Sequence, residues 1–221
     1  MSVLQELVPL PEITAKMKGN QRWYTTDEGN FPSITTVLSA KAKTGIEQWK
    51  LRVGQEYADK ETKRCAERGT AVHLMCERYV QNHENPTEGQ HITNISLFNK
   101  MKFSLKHISS IYAVEAPLYS SILRVAGRCD CVGIFKGVPS IIDYKTSNSH
   151  KPTEWIEDYF IQETFYSLAF QERTGIEIPQ IVTIMASEKD MLPRVWVKEI
   201  KPYVKPLMSR IQLFYDKFKR A

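Results

Sequence analysis

Two strand-like segments joined by only two residues stand in the middle of the sequence. Residues 124–135 and 138–145 are rich in β-branched and apolar side chains, and Lys136-Gly137 between them suits a two-residue hairpin loop. A loop of this length fixes every pair along both strands and places Asp130 directly across from Asp143. The predicted hairpin therefore brings two carboxylates together.

The facing of Asp130 and Asp143 is unfavourable unless a cation lies nearby. Directly opposed residues have Cβ atoms about 4.5 to 5.5 Å apart, and two carboxylates at that separation repel each other or share a proton. Because residues i and i+2 of a strand share a face, Lys145 projects beside Asp143 while Tyr144 turns away. An odd-length loop would turn Asp130 to the opposite face, and the Asp143–Lys145 pair alone would also fit a surface salt bridge.

Two carboxylates beside a lysine indicate metal-assisted hydrolysis of a phosphate ester. Carboxylate oxygens are suited to Mg²⁺ or Mn²⁺, which we predict as the cofactor. Such an ion activates a water molecule and stabilises charge on a phosphate, and Lys145 would orient that water or take its proton. The expected product is a cleaved phosphodiester.

Three further polar residues interrupt apolar patterns in the same part of the chain. His73 lies on a helical stripe of small and apolar residues, Glu115 lies in the strand-like segment before the hairpin, and Gln162 interrupts an aromatic stripe that includes Trp155 and Tyr166. Each has an ordinary alternative: a core histidine with a satisfied hydrogen bond, an exposed strand carboxylate, and a glutamine bonded to backbone. Polar residues that break a core pattern often mark function, so all three are site candidates.

The 221 residues indicate a single domain, because no repeat, low-complexity tract or linker divides the chain. The order of strand-like and helical segments favours an α+β (mixed α/β) fold with a central mixed sheet flanked by helices. Strands are predicted at 112–119, 124–135, 138–145, 180–186 and 194–198, with a short hairpin at 21–32. Helices are predicted from Ile34, capped by Ser33, to about Asn82 with breaks near Gly45 and Gly54, at 95–109, at 153–173, and finally to about Lys219.

A basic segment precedes the predicted sheet. Between Lys41 and Arg68 eight lysines and arginines stand against five acids, and Trp49 and Tyr57 lie among them. Basic residues with interleaved aromatics are typical of a nucleic-acid surface, although a solvated helix face of mixed charge has the same composition. The net charge of +5 suits a polyanionic partner without requiring one.

Absent patterns narrow the class of protein. Cys65, Cys76, Cys129 and Cys131 form no CxxC pair, so reduced and mostly buried thiols are expected, with Cys129 and Cys131 on one face of their strand and Asp130 on the other. No apolar run approaches the length of a membrane span, and the polar N-terminal segment lacks the pattern of a signal or transit peptide. We therefore expect no membrane contact and a cytoplasmic setting in a bacterial or phage-infected cell, with a mitochondrial setting less favoured.

The ordered motifs resemble those of the RecB-like branch of the PD-(D/E)XK nuclease superfamily. The likeness covers about residues 31–200 and rests on His73, Glu115, Gly127-Arg-Cys-Asp130, Asp143-Tyr-Lys145 and Gln162-Glu-Thr-Phe-Tyr166. Within that branch the chain is most similar to exonucleases of mitochondrial genome maintenance and to small stand-alone phage exonucleases. Cys129 stands where the superfamily's name has proline, a departure that is frequent in this branch.

The resemblance implies a role for each motif. The implied metal ligands are Asp130, Asp143, His73 and the backbone carbonyl of Tyr144, with Glu115 at a less consistent acidic position. The implied catalytic residues are Lys145, Asp143 and Asp130, with Gln162 and Tyr166 lying along the substrate and supporting the site. The expected DNA contacts are Trp49, Lys50, Arg52, Arg68, Thr146 and Ser147. The implied fold is a restriction-endonuclease-like core, about residues 91–221, with an N-terminal hairpin and helical arch for DNA entry, about residues 21–90.

The function that the resemblance implies is a Mg²⁺- or Mn²⁺-dependent DNA exonuclease acting from free single-stranded ends. Its setting would be DNA replication, recombination or repair, alongside proteins of those processes. The alternatives are a duplex-end or structure-specific nuclease and a non-cleaving DNA-binding module of the same fold. An iron-sulfur cluster, which some members carry after the glutamine–tyrosine element, is excluded because no cysteine follows Cys131.

Overall fold

The computed structural model describes residues 3–41 and 44–218. Its strands are β1 (Leu4–Gln5), β2 (Thr14–Lys18), β3 (Gln21–Thr26), β4 (Gly29–Pro32), β5 (Ile108–Ser120), β6 (Val125–Phe135), β7 (Val138–Ser147), β8 (Gln180–Ser187) and β9 (Arg194–Glu199). Its helices are α1 (Ile34–Ser39), α2 (Thr44–Val53), α3 (Gln55–Val80), α4 (Ile92–Leu105), α5 (Glu157–Thr174) and α6 (Lys201–Phe218). Lys43, in the predicted basic segment, and Lys219, at the predicted end of the last helix, lie outside the described residues.

A six-stranded mixed sheet in the order β1-β5-β6-β7-β8-β9 forms the centre of the fold. β5, β6 and β7 are antiparallel neighbours, β8 runs parallel to β7, and β9 returns antiparallel. A second, three-stranded sheet of β2, β3 and β4 packs through Tyr24 and Phe31 against the end of β5. The predicted mixed sheet flanked by helices is confirmed.

The central hairpin has the predicted register. Phe135 lies opposite Val138, and the ladder continues without a shift to Cys131 opposite Ile142. Residues 136 and 137 have φ values of 50° and 82°. Positive φ at both loop positions characterises the type I′ turn, whose twist matches that of paired strands. The two-residue loop therefore fixes where every residue of β6 and β7 points.

Apolar side chains on both faces of the sheet hold the helices in place. α3 and α4 cover one face, where Val72, Met75 and Phe98 pack on Ile142 and Tyr144. α1, α5 and α6 cover the other face, with residues such as Val37, Phe165 and Leu207 packed on strands of the same sheet. Because the sheet is covered on both sides, β7 and β8 are buried along most of their length, as expected for a central parallel pair.

Local signals predicted the helix boundaries with uneven success. Ser33 caps α1 as predicted, accepting a hydrogen bond from the backbone N–H of Thr36. The helical region to residue 82 is divided as expected near Gly54, but the other break lies before Gly45, which is inside α2. The C-terminal half of α3 belongs to the core, so only α2 and the first half of α3 can form the predicted arch. Within the described ranges, no helix combines the length and apolarity that crossing a membrane requires.

Candidate active site

The candidate site lies where β6 and β7 separate. Their ladder ends at Cys131 opposite Ile142, while β7 stays paired with β8. Asp130 occupies the opening, and its Oδ2 accepts a 2.8 Å hydrogen bond from the backbone N–H of Tyr144. The predicted facing of Asp130 and Asp143 thus becomes a diagonal contact, in which Asp130 meets the residue that follows Asp143.

Glu115 and Asp130 lie opposite each other at a gap in the ladder between β5 and β6. The ladder keeps one register from Ala113 to Ser120 but includes neither of these residues, and two register shifts lie nearer the start of β5, between Ile108 and Ser110 and between Ile111 and Ala113. Glu115 has a φ of 49°, which is uncommon for a residue other than glycine. Cys129 and Cys131, predicted to share a face, are both buried but belong to hydrophobic clusters on opposite faces. This local twist directs both carboxyl groups toward α3.

α3 delivers His73 to these two carboxyl groups. The apolar members of its predicted stripe are fully buried against the sheet, while the His73 side chain stays 29% exposed. His73 Nδ1 lies 3.3 Å from Asp130 Oδ2, and its ring meets the ring of Tyr144 edge-on at 6.0 Å. Ligand atoms of His73, Glu115 and Asp130 all lie within 4.8 Å of one another. We call these three residues the acid–histidine cluster.

Proximity within the cluster shifts the pKa of each member. Burial alone would lower the pKa of His73, but the charge of Asp130 outweighs it and holds this pKa above its usual value. Burial alone would raise the pKa of Asp130, but His73 and Lys145 outweigh it and hold this pKa below its usual value. Burial raises the pKa of Glu115, and the charges of Asp130 and Glu77 raise it further. The cluster therefore combines an imidazolium–carboxylate pair with a carboxyl group that resists ionisation.

Asp143 and Lys145 lie on the opposite face of β7 from Tyr144, toward α5. Asp143 is 2% exposed and pairs through Oδ2 with Lys145 Nζ, which also lies 5.0 Å from the ring centroid of Tyr159. Burial raises the pKa of Asp143 to about 6. Burial alone would lower the pKa of Lys145, but Asp143 and Asp130 outweigh it and raise this pKa above its usual range. Lys145 therefore keeps its proton in this arrangement, which favours orienting a water molecule over deprotonating it.

Glu163 is an acidic residue of this region that the sequence reasoning missed. It follows Gln162 on α5, is fully buried, and accepts a hydrogen bond through Oε1 from the hydroxyl of Thr183 on β8. Burial raises the pKa of Glu163 well above its usual value, and the charge of Asp143 raises it further. A neutral carboxyl group here lies within electrostatic reach of the Asp143–Lys145 pair without adding negative charge. The sequence pattern that could have identified Glu163 is a glutamate within a mostly apolar helix face.

Tyr166 packs against β6, and the half-buried Gln162 is hydrogen-bonded to it. Gln162 Nε2 donates a 3.0 Å hydrogen bond to the hydroxyl of Tyr166, which is 3% exposed. A Cβ atom on Gly127 of β6 would lie 2.7 Å from Tyr166 Cε1 and 3.3 Å from Ile34 Cγ2. Gly127 is therefore needed for this close approach. Trp155, predicted on the same aromatic stripe, lies in a 3-10 turn before α5 and is exposed.

We expect Gly127→Ala to lower the free energy of unfolding by about 1 to 3 kcal/mol, because the added methyl group overpacks a buried contact. The tyrosine ring must shift, and the Gln162–Tyr166 hydrogen bond would be lost with it. Urea unfolding of both proteins measures the effect. Gly45→Ala is the matched control, since a Cβ on Gly45 meets no atom within 4 Å. Equal losses in the two variants would show that the contact beneath β6 is unimportant.

A cavity of about 570 Å³ opens onto the acid–histidine cluster. Arg22 of β3, Arg128 of β6 and Glu77 of α3 also line this cavity. Arg128 Nη1 lies 4.0 Å from Glu115 Oε2. Two guanidinium groups beside an acidic cluster are suited to binding phosphate. The sequence reasoning missed both arginines as site residues, because Arg22 comes from the separate small sheet and Arg128 was read only as part of a motif.

The predicted DNA contacts on α2 are accessible. Trp49 and Lys50 are half-buried and Arg52 is exposed. Leu51, between them, is 86% exposed. This exposed face is compatible with substrate contact, and the assignment stays a prediction.

The predicted DNA contacts near the end of β7 are engaged within the protein. Arg68 is 6% exposed, and its Nη1 donates hydrogen bonds to Glu188 at 2.5 Å and to Asn148 at 2.7 Å. Thr146 accepts a 3.3 Å hydrogen bond from the same guanidinium, and Ser147 is buried with its hydroxyl bonded to a backbone carbonyl. In this arrangement Arg68 anchors α3 to the ends of β7 and β8, and the hydroxyl of Ser147 is used within the protein, while the assignment of these residues as DNA contacts stays a prediction.

Comparison with curated proteins finds relatives of one name. The chain is 27% identical to mitochondrial genome maintenance exonuclease 1 of Mus musculus over 131 residues, which are 56% of this chain and 39% of the relative. The Homo sapiens protein of that name is 27% identical over 144 residues, and the Xenopus tropicalis protein 23% identical over 145 residues, covering 61% and 62% of this chain and 40% of each relative. The chain thus spans about two fifths of the length of these relatives. No protein-family model matches it.

These relatives support a likeness to exonucleases and correct one expectation. The resemblance to exonucleases of mitochondrial genome maintenance is borne out, while membership of the PD-(D/E)XK superfamily stays a prediction. The expected cytoplasmic setting in a bacterial or phage-infected cell is wrong on this comparison, because all three relatives are named as mitochondrial. That expectation rested on the lack of a transit-peptide pattern in the first residues of the sequence.

Proposed function

We propose that the chain is a divalent-metal-dependent DNA exonuclease that hydrolyses phosphodiester bonds from free strand ends. One observation carries the proposal: an acid–histidine cluster opens into a cavity, and a buried Asp143–Lys145 pair adjoins it across β7. The similarity to proteins named as genome maintenance exonucleases supports the same activity. A RecB-like PD-(D/E)XK arrangement is part of this proposal.

The acid–histidine cluster fits a divalent ion. Two carboxyl groups and an imidazole, with ligand atoms within 4.8 Å of one another, form a mixed oxygen and nitrogen donor set that suits Mn²⁺ and, through its oxygens, Mg²⁺. We assign Asp130, His73 and Glu115 as ligands, joined by Asp143 and the backbone carbonyl of Tyr144. A bound ion would activate a water molecule and stabilise negative charge on the phosphate.

Residues around the cluster supply the positive charge that a phosphodiester needs. Lys145 is held between Asp143 and the ring of Tyr159, so its ammonium group is positioned to orient a water molecule or a phosphate oxygen. Arg22 and Arg128 line the cavity and would bind the phosphates that flank the cleaved bond. These residues would thus contribute to hydrolysis by positioning the substrate and by supplying positive charge.

A preference for single strands is supported by α2 and the start of α3. Ile46, Leu51 and Tyr57 are 49%, 86% and 58% exposed, a high density of apolar side chains in solvent. Tyr57 precedes His73 on the same helix, at a distance of about 24 Å along the helix axis. Unstacked bases approaching the cluster would pass these side chains and Trp49, whereas a duplex keeps its bases inside.

We expect Trp49→Ala to weaken binding of a single-stranded oligonucleotide at least about fivefold, because stacking on an aromatic residue is worth about 1 to 3 kcal/mol per base. Lys50→Gln should reduce the slope of log affinity against log salt by about 0.7 for one lost phosphate contact. Fluorescence anisotropy in EDTA over a range of KCl concentrations measures both effects. Lys205→Gln on α6 is the control. Unchanged affinity and slope would remove α2 from the substrate path.

Digestion of labelled oligonucleotides tests the proposed function. Linear single-stranded, linear duplex and closed circular single-stranded DNA are incubated with the chain in Mg²⁺ or Mn²⁺. Release of short products from linear single strands, with the circle intact, is the expected result. Preferential cleavage of duplex ends or of the circle would contradict the proposed single-strand exonuclease and indicate another nuclease activity. Binding without cleavage in either metal would indicate a DNA-binding module.

Metal affinity should rise with pH. His73 and Glu115 both have raised pKa values and must release protons before they can act as ligands. We therefore expect Mn²⁺ to bind more tightly at pH 8 than at pH 6, with net proton release. Calorimetry in two buffers of different ionisation enthalpy measures both quantities. Glu115→Gln should lower the affinity and the number of released protons, and a pH-independent affinity would contradict the assigned ligands.

A further inference from the structure

The loop between β8 and β9 exposes apolar side chains at its tip. Loop tips are normally polar, since they face water, yet Met191 and Leu192 at this tip are 88% and 71% exposed. The two acids of the same loop contact the protein: Glu188 pairs with Arg68, and Asp190 accepts a hydrogen bond from the backbone N–H of His150. The loop therefore presents apolar side chains to solvent at its tip, next to the exposed Lys189, and uses its two acids as anchors.

Several hydrogen bonds hold this loop in one conformation. Glu188 Oε1 lies 2.6 Å from Arg64 Nη1 and also pairs with Arg68. Asp190 Oδ2 accepts hydrogen bonds from the hydroxyl of Ser187 and, at 2.9 Å, from the backbone N–H of His150. An apolar tip fixed in this way is pre-organised for binding, because less conformational freedom is lost when a partner docks.

α4 provides the opposite wall of a groove beside this loop. One face of α4 is buried in the core through Leu97, Phe98 and Met101, yet Ile92 and Phe103 are 70% and 68% exposed on the other side. These exposed residues and the loop tip line a cavity of about 460 Å³. A second cavity of about 270 Å³ adjoins it at Asn99 and Phe103.

The charges of the groove are all positive. Lys100, Lys102 and Lys106 line the two cavities, and among the described parts of the chain no carboxyl group does. Lys100 donates a 2.8 Å hydrogen bond to the backbone carbonyl of Ser187, the last residue of β8, which joins α4 to the base of the loop. Lys106 Nζ lies 5.5 Å from the ring centroid of Phe103, so positive charge borders the exposed aromatic ring.

We propose that this groove docks an acidic peptide segment of a partner protein, one with apolar anchor residues between its acids. The apolar walls would accept the anchors, and Lys102 and Lys106 would pair with the acids. The walls are mainly aliphatic, whereas a platform for unstacked bases is built from aromatic rings. The groove shares no lining residue with the active-site cavity, so this docking is separate from catalysis.

Selection from a random library of 12-residue peptides tests the proposal on the full 221-residue chain. We expect the enriched peptides to share acidic residues around apolar anchors. Phe103→Ser with Leu192→Ser, and separately Lys102→Glu with Lys106→Glu, should each weaken the selected peptides at least about tenfold. Both pairs change exposed residues, and thermal unfolding checks that the variants remain folded. Ile122→Ser and Lys205→Glu, an exposed apolar residue and an exposed lysine elsewhere, are the matched controls.

Three results would overturn the proposal. One is a selection that yields no shared sequence, or peptides that bind the groove variants as tightly as the parent chain. Another is displacement of the peptides by a 12-nucleotide oligothymidylate whose own binding depends on Phe103. That result would make the groove a DNA surface. The last is self-association in sedimentation that Phe103→Ser with Leu192→Ser abolishes, which would make a second copy of the chain the occupant.

Discussion

Replacing Asp130 by asparagine is expected to slow phosphodiester hydrolysis by about 10³-fold or more while the chain stays folded. Asp130 is the member of the acid–histidine cluster that also touches the strand opening, through its hydrogen bond from the backbone N–H of Tyr144. The amide oxygen of asparagine can still accept that bond. The substitution therefore removes a charge and a proposed metal ligand with little change in shape.

Two measurements separate this effect from unfolding. The initial rate on a labelled single-stranded oligonucleotide reports hydrolysis, and the shift in melting temperature on adding Mn²⁺ reports metal binding. We expect Asp130→Asn to lose both the rate and the Mn²⁺-dependent shift, while its melting temperature in EDTA stays near that of the parent chain. Asp216→Asn, on the exposed side of α6, should change neither. Full activity in Asp130→Asn would exclude the acid–histidine cluster as the hydrolytic centre.

The central hairpin was predictable because its register depends on very local information. A two-residue loop with a glycine at its second position fixes the pairing of β6 and β7, and strand alternation then assigns Asp143 and Lys145 to one face. The helical stripe that carries His73 was predictable for a similar reason, since 3.6-residue periodicity identifies a buried face. These short-range rules identified most of the polar residues that the fold brings together.

The features that were missed depend on distant parts of the chain. The twist that releases Glu115 and Asp130 arises between β5 and β6 and has no sequence signature, so Cys129 and Cys131 were placed on the same face. Arg22 reaches the cavity from the separate small sheet. Arg68 was predicted to contact DNA because it is basic. Its pairing with Glu188, 120 residues later, could be seen only in the folded chain.

Removing Lys145 is expected to destabilise the chain by about 3 to 5 kcal/mol, because it leaves the buried carboxylate of Asp143 without its partner. Asp143 is 2% exposed, and the Lys145 ammonium is its paired cation. Lys145→Met should therefore unfold at much lower urea concentration than the parent chain at pH 8. Combining it with Asp143→Asn should recover much of the loss, since neither charge then remains. Lys151→Met is the matched control. Lys151 also lies over the ring of Tyr159 but does not pair with Asp143.

The dependence of this loss on pH identifies its electrostatic origin. Burial raises the pKa of Asp143 to about 6, above its value in the unfolded chain, so its ionisation opposes folding increasingly as the pH rises through that value. Lys145 lowers this pKa, and removing the lysine should raise it further. The extra instability of Lys145→Met should then be largest at pH 8, shrink toward pH 5 as Asp143 takes up a proton, and be absent from the double variant. Urea unfolding at both pH values measures it, and an equal loss at pH 5 and pH 8 would assign the effect to lost packing of the lysine stem. Because the same pair adjoins the acid–histidine cluster, both variants should be inactive at either pH, so the double variant at pH 8 and both variants at pH 5 should be folded yet inactive.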